Sequence, residues 1–309
     1  MGDRWQGSRC IAYAAPRQYV PGEEALPDFP IIDAHVHLYD PSKLPYGWLA
    51  GVPRIDKAHL PADFDRLTAP VKVDGIVFVE VDVDDPRYLD EAHWVEETAG
   101  AEPRIRGMVA GMPIEKGVSI EADIAEYAKL PRARGVRRLI QKHAAEPGWC
   151  LRPDFVAAVK LLPKYGLSFD ICIFHAQMAD TIKLVRQCPD VSFILDHIGK
   201  PGIKDGLTQP WRSEMRELAE LPNVICKISG VVTEADHTAW TYDQVAPYVA
   251  HSIETFGFDR VAFGGDWPVS ELAARYADWV GVVDRVVSGA SEAEKRKLYR
   301  DNAIRFYRL

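Results

Sequence analysis

Four histidines and an aspartate stand at the ends of short apolar runs. IIDAHVHL (31–38) carries Asp33, His35 and His37, a later run ends in Phe174-His175, another in Asp196-His197, and the last in Gly265-Asp266-Trp267-Pro268. Histidines two apart on a strand point to the same face, so both imidazoles of the HxH pair can enter one cavity. Imidazole and carboxylate are the ligands expected of a catalytic Zn²⁺ or similar ion with an open coordination position. An aspartate beside such an ion is placed to take a proton from attacking water. A lone histidine at a strand end is more often a structural hydrogen-bonding residue. It is the conjunction of His35, His37, His175, His197 and Asp266 that points to a site. His59, His93, His143, His237 and His251 fall in loops or helical stretches and take no role. No GxSxG elbow is present, so nothing calls for a nucleophilic serine, and Ser229-Gly230 reads as a turn.

Groups so far apart in sequence need a scaffold that brings strand ends together. Strand-length runs rich in Val, Ile and Phe occur at 31–38, 75–81, 105–112, 134–140, 167–174, 191–197, 224–229 and 261–266. Runs apolar on both faces suit a parallel sheet covered on both sides. Segments with helical spacing lie between them: 90–100, 119–130, 153–166, 178–188, 211–221, 242–257 and 271–287. A last helix starts at Ser291, where SEAE offers a capping box, and runs towards Tyr307. Eight strands alternating with eight helices predict a single-domain α/β fold, a closed (β/α)₈ TIM barrel over 31–309, more readily than two stacked open sheets. Residues 1–30, with four prolines, read as an irregular N-terminal arm. In such barrels the reacting groups sit at the C-terminal strand ends.

Bulk composition narrows the function. The 309 residues carry a net charge of −8 with no basic cluster, which argues against nucleic acid. The five cysteines are scattered, with no CxxC pair, so a disulfide framework or Cys₄ zinc site has no support and a reducing cytoplasm fits. No leader-like apolar segment or membrane-spanning run is read. A small-molecule substrate is expected, bound by a monomer or homo-oligomer. By position, Trp48 after strand 1 and Glu80 at the end of strand 2 are substrate-binding candidates. Asp82, Asp84 and Asp85 follow Glu80. An acidic cleft suits a neutral polyol better than a dianion, although Arg137 and Arg138 would invert that, and a solvated loop is the plain alternative.

The stretches DAHVHL, IFH, DHIGKP, VICKISGVVTEAD and FGGDWPV resemble the amidohydrolase superfamily, and within it the branch of sugar-lactone and pyrone-dicarboxylate lactonases. The likeness runs from about Ile31 to the C-terminus; HxH is common to the superfamily, while DHIGKP, CKISG and FGGDWPV are particular to the lactonase branch. The resemblance implies that Asp266 activates the hydrolytic water. His35, His37 and His197 would either hold one divalent metal or polarise the lactone carbonyl directly. With His175 present, the metal set His35, His37, His175 and Asp266 is complete, and Zn²⁺ is the first choice. GVRRLIQ offers no lysine for a carboxylated bridge, with Lys142 just beyond it, so one metal or none is expected rather than two. Arg137 and Gln141 match substrate-facing positions, and Lys200 and Trp267 are further pocket candidates. The implied activity is hydrolysis of a lactone, a sugar aldonolactone of the fucono, galactono or rhamnono type. The alternatives are a metal-dependent decarboxylase of the same superfamily and a catalytically silent barrel that binds a sugar acid.

Overall fold

Eight parallel strands pair in chain order: β1 (Ile31–Val36), β2 (Val73–Val79), β3 (Ile105–Gly111), β4 (Ala133–Leu139), β5 (Ser168–Cys172), β6 (Phe193–Leu195), β7 (Val224–Ile228) and β8 (Val261–Phe263). The computed structural model describes residues 26–309. Most of the predicted arm, with Cys10 and Trp5, lies outside the described residues. The sheet closes where β1 meets the segment after β8: Val36 bridges Trp267, Asp266 N donates to His35 O at 2.8 Å, and His37 N to Trp267 O at 2.8 Å. The eight apolar runs predicted as strands are thus the eight staves of a TIM barrel, and the expected fold class holds.

The helices are α1 (Pro61–Thr68), α2 (Tyr88–Ala101), α3 (Glu121–Tyr127), α4 (Pro153–Val159), α5 (Met178–Gln187), α6 (Trp211–Ala219), α7 (Tyr242–Phe256), α8 (Tyr276–Val286), α9 (Glu292–Arg296) and α10 (Asn302–Tyr307). Each strand is followed by one of α1 to α8. The sequence pattern did not single out α1, because its two turns bury only Phe64 and Thr68 and show no apolar stripe. The predicted last helix is therefore an addition to the eight, and a π-turn at Lys297–Asp301 divides it into α9 and α10. Its expected cap is formed: Glu294 N donates to Ser291 Oγ, and the Glu294 carboxylate accepts from Ser291 N. The predicted helix 271–287 starts later, at Tyr276, after a short 3₁₀ turn at Val269–Leu272.

Inside the barrel, Ile32, Ala34, Val77, Val79, Val109, Ile194 and Ala262 pack together, and Ala303 and Tyr307 of α10 join them. The C-terminal helix thus plugs one end of the barrel, leaving the strand ends that carry the polar groups at the other. A bulge in β1 sets the direction of the histidines. Between Asp33 and Val36, β1 advances three residues while β2 advances two, from Ile76 to Phe78. Strict alternation from Ile32 and Ala34 would turn His35 outward. The extra residue turns His35 inward and leaves Asp33 facing α8, where it accepts from Tyr276 Oη at 2.7 Å.

Two of the histidines given no chemical role are core residues. His59 packs against Tyr39 and Trp267, and His251 sits against Trp211 and reaches the Arg212 carbonyl at 3.1 Å. Burial pushes each down from 6.5 to about 4. A histidine whose folded pKa is depressed contributes stability that is complete above the unfolded value and is lost as pH falls from about 6.5 towards 4. His251→Gln should therefore lose less stability than the native chain between pH 7.5 and pH 5, by on the order of 1 kcal/mol. Paired urea titrations at the two pH values measure this; a pH-independent difference between the two proteins would contradict it.

Candidate active site

The bulged end of β1 aims His35 and His37 into the barrel mouth, where the residues after β6 and β8 add His197 and Asp266. All four are buried. One carboxylate oxygen, Asp266 Oδ1, stands 3.4 Å from His37 Nε2, 3.7 Å from His35 Nε2 and 4.0 Å from His197 Nε2. His37 Nδ1 lies 2.8 Å from the Val79 carbonyl, which can only accept, so Nδ1 carries a proton and Nε2 is the nitrogen that faces Asp266. A backbone carbonyl behind the ring is a usual support of a metal-binding imidazole, with Nε2 turned to the ion. Two ligands each about 2.0–2.1 Å from a tetrahedral Zn²⁺ stand roughly 3.3–3.4 Å apart, the spacing of His37 and Asp266.

The ligand atoms of His35, His197 and Asp266 all lie within 4.8 Å of one another and could hold one metal ion, with His37 at its edge. Burial, then the neighbouring Lys227, His37 and Arg137, hold His35 well below the ordinary imidazole range; burial, then His35 and Lys200, do the same to His197. Neutral imidazole is the form that ligates. A second trio, Cys172, Asp196 and His197, is equally close. There the Asp196 oxygens already face cations, Lys227 at 2.9 Å and Arg137 at 3.3 Å, and burial pushes the Cys172 thiol up to about 11. That trio has less need of an ion.

His175, expected among the ligands, is not brought to this cluster. The inward side chains of β5 are Asp170 and Cys172. His175 lies three residues beyond the strand, half-buried on the turn into α5, with Nδ1 3.0 Å from the Lys200 carbonyl. The substrate-binding candidates divide. Arg137 and Glu80 form a buried ion pair at 2.6 Å below the histidines, and Arg137 also reaches the Glu80 carbonyl at 2.7 Å. Gln141 accepts from the Cys172 thiol at 3.5 Å, and the Lys200 ammonium sits 5.6 Å over the exposed Phe174 ring. Trp48 is half-buried and donates to the Val81 carbonyl at 2.8 Å. Trp267 departs from its expected place in the pocket: it is wholly buried, and its ring packs against His59 and Phe64.

Below the imidazoles lies a group that sequence reasoning missed. Lys227 of β7 reaches Asp170 at 2.6 Å, Asp196 at 2.9 Å and His35 Nδ1 at 3.3 Å. Tyr307 of α10 donates to Asp170 at 2.7 Å. The available signal was a lysine and an aspartate set singly in apolar strand runs, VICKIS and LSFDICIF. Such charges persist in a core only when paired across strands.

A closed parallel barrel whose strand ends gather three imidazoles around one carboxylate gives the class, an enzyme with a candidate metal site. The chain belongs to the amidohydrolase family, whose model matches residues 32–309. It is 30% identical over 298 residues to an uncharacterized protein of Sinorhizobium fredii, with 91% of this chain and 99% of that one covered. It is 30% identical over 286 residues to an L-fucono-1,5-lactonase of Burkholderia ambifaria, with 90% and 95% covered. An amidohydrolase from Burkholderia multivorans solved with bound zinc superimposes with a TM-score of 0.81 at 29% identity, covering 91% of this chain and all of that one. Among the described residues no helix is long and apolar enough to cross a membrane.

Gly230 shows how tightly the site is built. Its φ is +56°, and a Cβ there would fall 2.3 Å from His197 Nδ1 and 2.8 Å from Asp266 Oδ2. Gly230→Ala should displace both groups and weaken Zn²⁺ binding about 10–100-fold. Competition with a chromophoric chelator measures this, and unchanged affinity would mean that the glycine serves the turn alone.

Proposed function

We propose that the protein is a lactonase that opens a cyclic ester of a sugar acid, an aldonolactone of the fucono, galactono or rhamnono type. The observation that carries this reading is the Asp266 carboxylate ringed by three buried imidazoles, in a chain that aligns over nine-tenths of its length with an L-fucono-1,5-lactonase. A divalent ion on His35, His197 and Asp266, with His37 beside it, would supply Lewis acidity to the carbonyl and to water.

The chain's own part is proton handling and aim. As the water oxygen bonds to the lactone carbon, Asp266 takes the proton that water loses. When the bond from that carbon to the ring oxygen breaks, Asp266 returns the proton to the departing oxygen, and the product is an open hydroxy acid. His35 and His197 line the place where negative charge develops on the carbonyl oxygen. Gln141, Lys200 and Trp48 are proposed to bind the polyol, with Arg137 and Glu80 acting from below through His35 and Asp196. The net charge of −8 supports a small neutral substrate over nucleic acid. The four free cysteines of the described region, all buried, support a reducing cytoplasmic setting.

Proton release from a panel of aldonolactones tests the reading. Hydrolysis should fall about 10²–10⁴-fold in Asp266→Asn, drop on chelation and return with Zn²⁺. Failure to turn over any lactone in any metal state, or release of carbon dioxide from an aromatic acid, would displace the lactonase reading in favour of a decarboxylase.

A further inference from the structure

Resting on the lactonase reading for the nature of the ring, we propose that Glu234 sets the specificity of the site: its carboxylate and the Lys200 ammonium bracket a hydroxyl group of the substrate and select a polyhydroxylated ring over a carboxylated one. Glu234 closes the 3₁₀ turn Val232–Glu234 that follows β7. The turn begins beside Gly230, where the space a Cβ would need is filled by His197 and Asp266. Its backbone is pinned: Glu234 N donates to Val231 O at 3.2 Å, Thr233 Oγ1 to Gly230 O at 2.9 Å, and Lys204 N, from the loop after β6, to Glu234 O at 3.0 Å. The side chain is not. It is half-buried, and among the described residues it makes no hydrogen bond or ion pair.

A carboxylate partly withdrawn from water without a partner is costly. Burial pushes the Glu234 carboxyl up from its ordinary value; the Lys200 charge opposes this, Asp266 adds to it, and His175 and His237 oppose it again. Those four groups are therefore its neighbours, and two of them belong to the mouth. The Lys200 charge also acts on His35, His197 and Cys172, which sets the ammonium over the buried cluster. Lys200 and Glu234 thus face each other above Asp266 without pairing. An ammonium only donates and an ionised carboxylate only accepts, whereas a hydroxyl does both. A substrate hydroxyl accepting from Lys200 and donating to Glu234 satisfies the two at once. A substrate carboxylate in that place would gain Lys200 but meet two like charges, Glu234 and Asp266.

Calorimetric binding of two unreactive ligands to the zinc-loaded protein tests this: the 1,5-lactam of an aldonic acid, and its counterpart with the terminal carbon oxidised to a carboxylate. The native chain should prefer the uncharged lactam. Glu234→Gln, an isostere that strands no partner, and Glu234→Ala should each bind it about 10–100-fold more weakly, and the preference over the carboxylated counterpart should narrow. Lactam binding that depends on Glu234 upholds the assignment even where no lactone is turned over, a result that would count against the lactonase reading alone. Unchanged lactam affinity in both variants, a preference that does not narrow, or no lactam binding by the native chain would overturn the proposal.

Discussion

Inside the barrel, Lys227 and Arg137 remain charged because Asp170, Asp196 and Glu80 surround them, and those carboxylates depend equally on the two cations. Burial works against every one of these charges. For Lys227, Asp170 and Asp196 outweigh it and hold the ammonium above its usual range; for Asp196, Lys227 and Arg137 outweigh it and hold the carboxyl below its own. Removing one member of such a set costs roughly 3–5 kcal/mol, because the charge left behind has no water to turn to. The site rests on this ladder. His35 is flanked by both cations, and Tyr307 ties Asp170 to α10, so the last helix and the first strand meet through one carboxylate and one ammonium.

The ladder fixes the floor of the site, and the backbone fixes its rim. His197, Ile198, Lys200 and Asp266 all have φ between +47° and +54°, a left-handed region that costs a residue with a Cβ roughly 1–2 kcal/mol. Two residues of that group, both beside the candidate metal site, are held by specific contacts: Asp266 N by the His35 carbonyl, and the His197 ring by the Ser229 hydroxyl at 3.0 Å. Gly230 leaves the space that both side chains occupy. Strain after β6 and after β8, a bulge on β1 and a missing Cβ after β7 are four local departures from regular structure. They converge on one carboxylate oxygen. Regular strands would have pointed these groups elsewhere.

That also explains what could be read from the residues alone. The eight strands were legible because each is a run of strand length carrying Val, Ile or Phe between segments of helical spacing, and Asp266, His35, His37 and His197 because each follows or ends such a run. α1 was not, since a two-turn helix with two buried residues has no periodicity to detect. His175 misled because distance along the chain from a strand end is not direction: three residues past Cys172 the backbone has already turned into α5. The role of Lys227 was invisible for another reason. One buried charge in a strand has no meaning until its partners are known, and its partners lie on β5 and after β6. The bulge in β1 left no mark in the sequence either.

The acidic run Glu80-Val81-Asp82-Val83-Asp84 is where composition and structure part most clearly. Read as a string, it makes an acidic cleft or a solvated loop. In the fold, Glu80 is spent on Arg137 and on the Asp82 backbone N–H, Asp82 pairs with Lys142, and Asp84 accepts from Gly47 N at 2.9 Å. These carboxylates hold loops together and contribute little free negative charge to the mouth. Arg137, the residue that would have favoured a dianion, is neutralised by the same Glu80, and Arg138 pairs with Glu115. The two opposing arguments about substrate charge therefore cancel. Around the Asp266 carboxylate, burial keeps His35 and His197 neutral, and with Gln141 and Lys200 as the proposed polyol contacts the set suits hydroxyl groups and a carbonyl better than paired carboxylates.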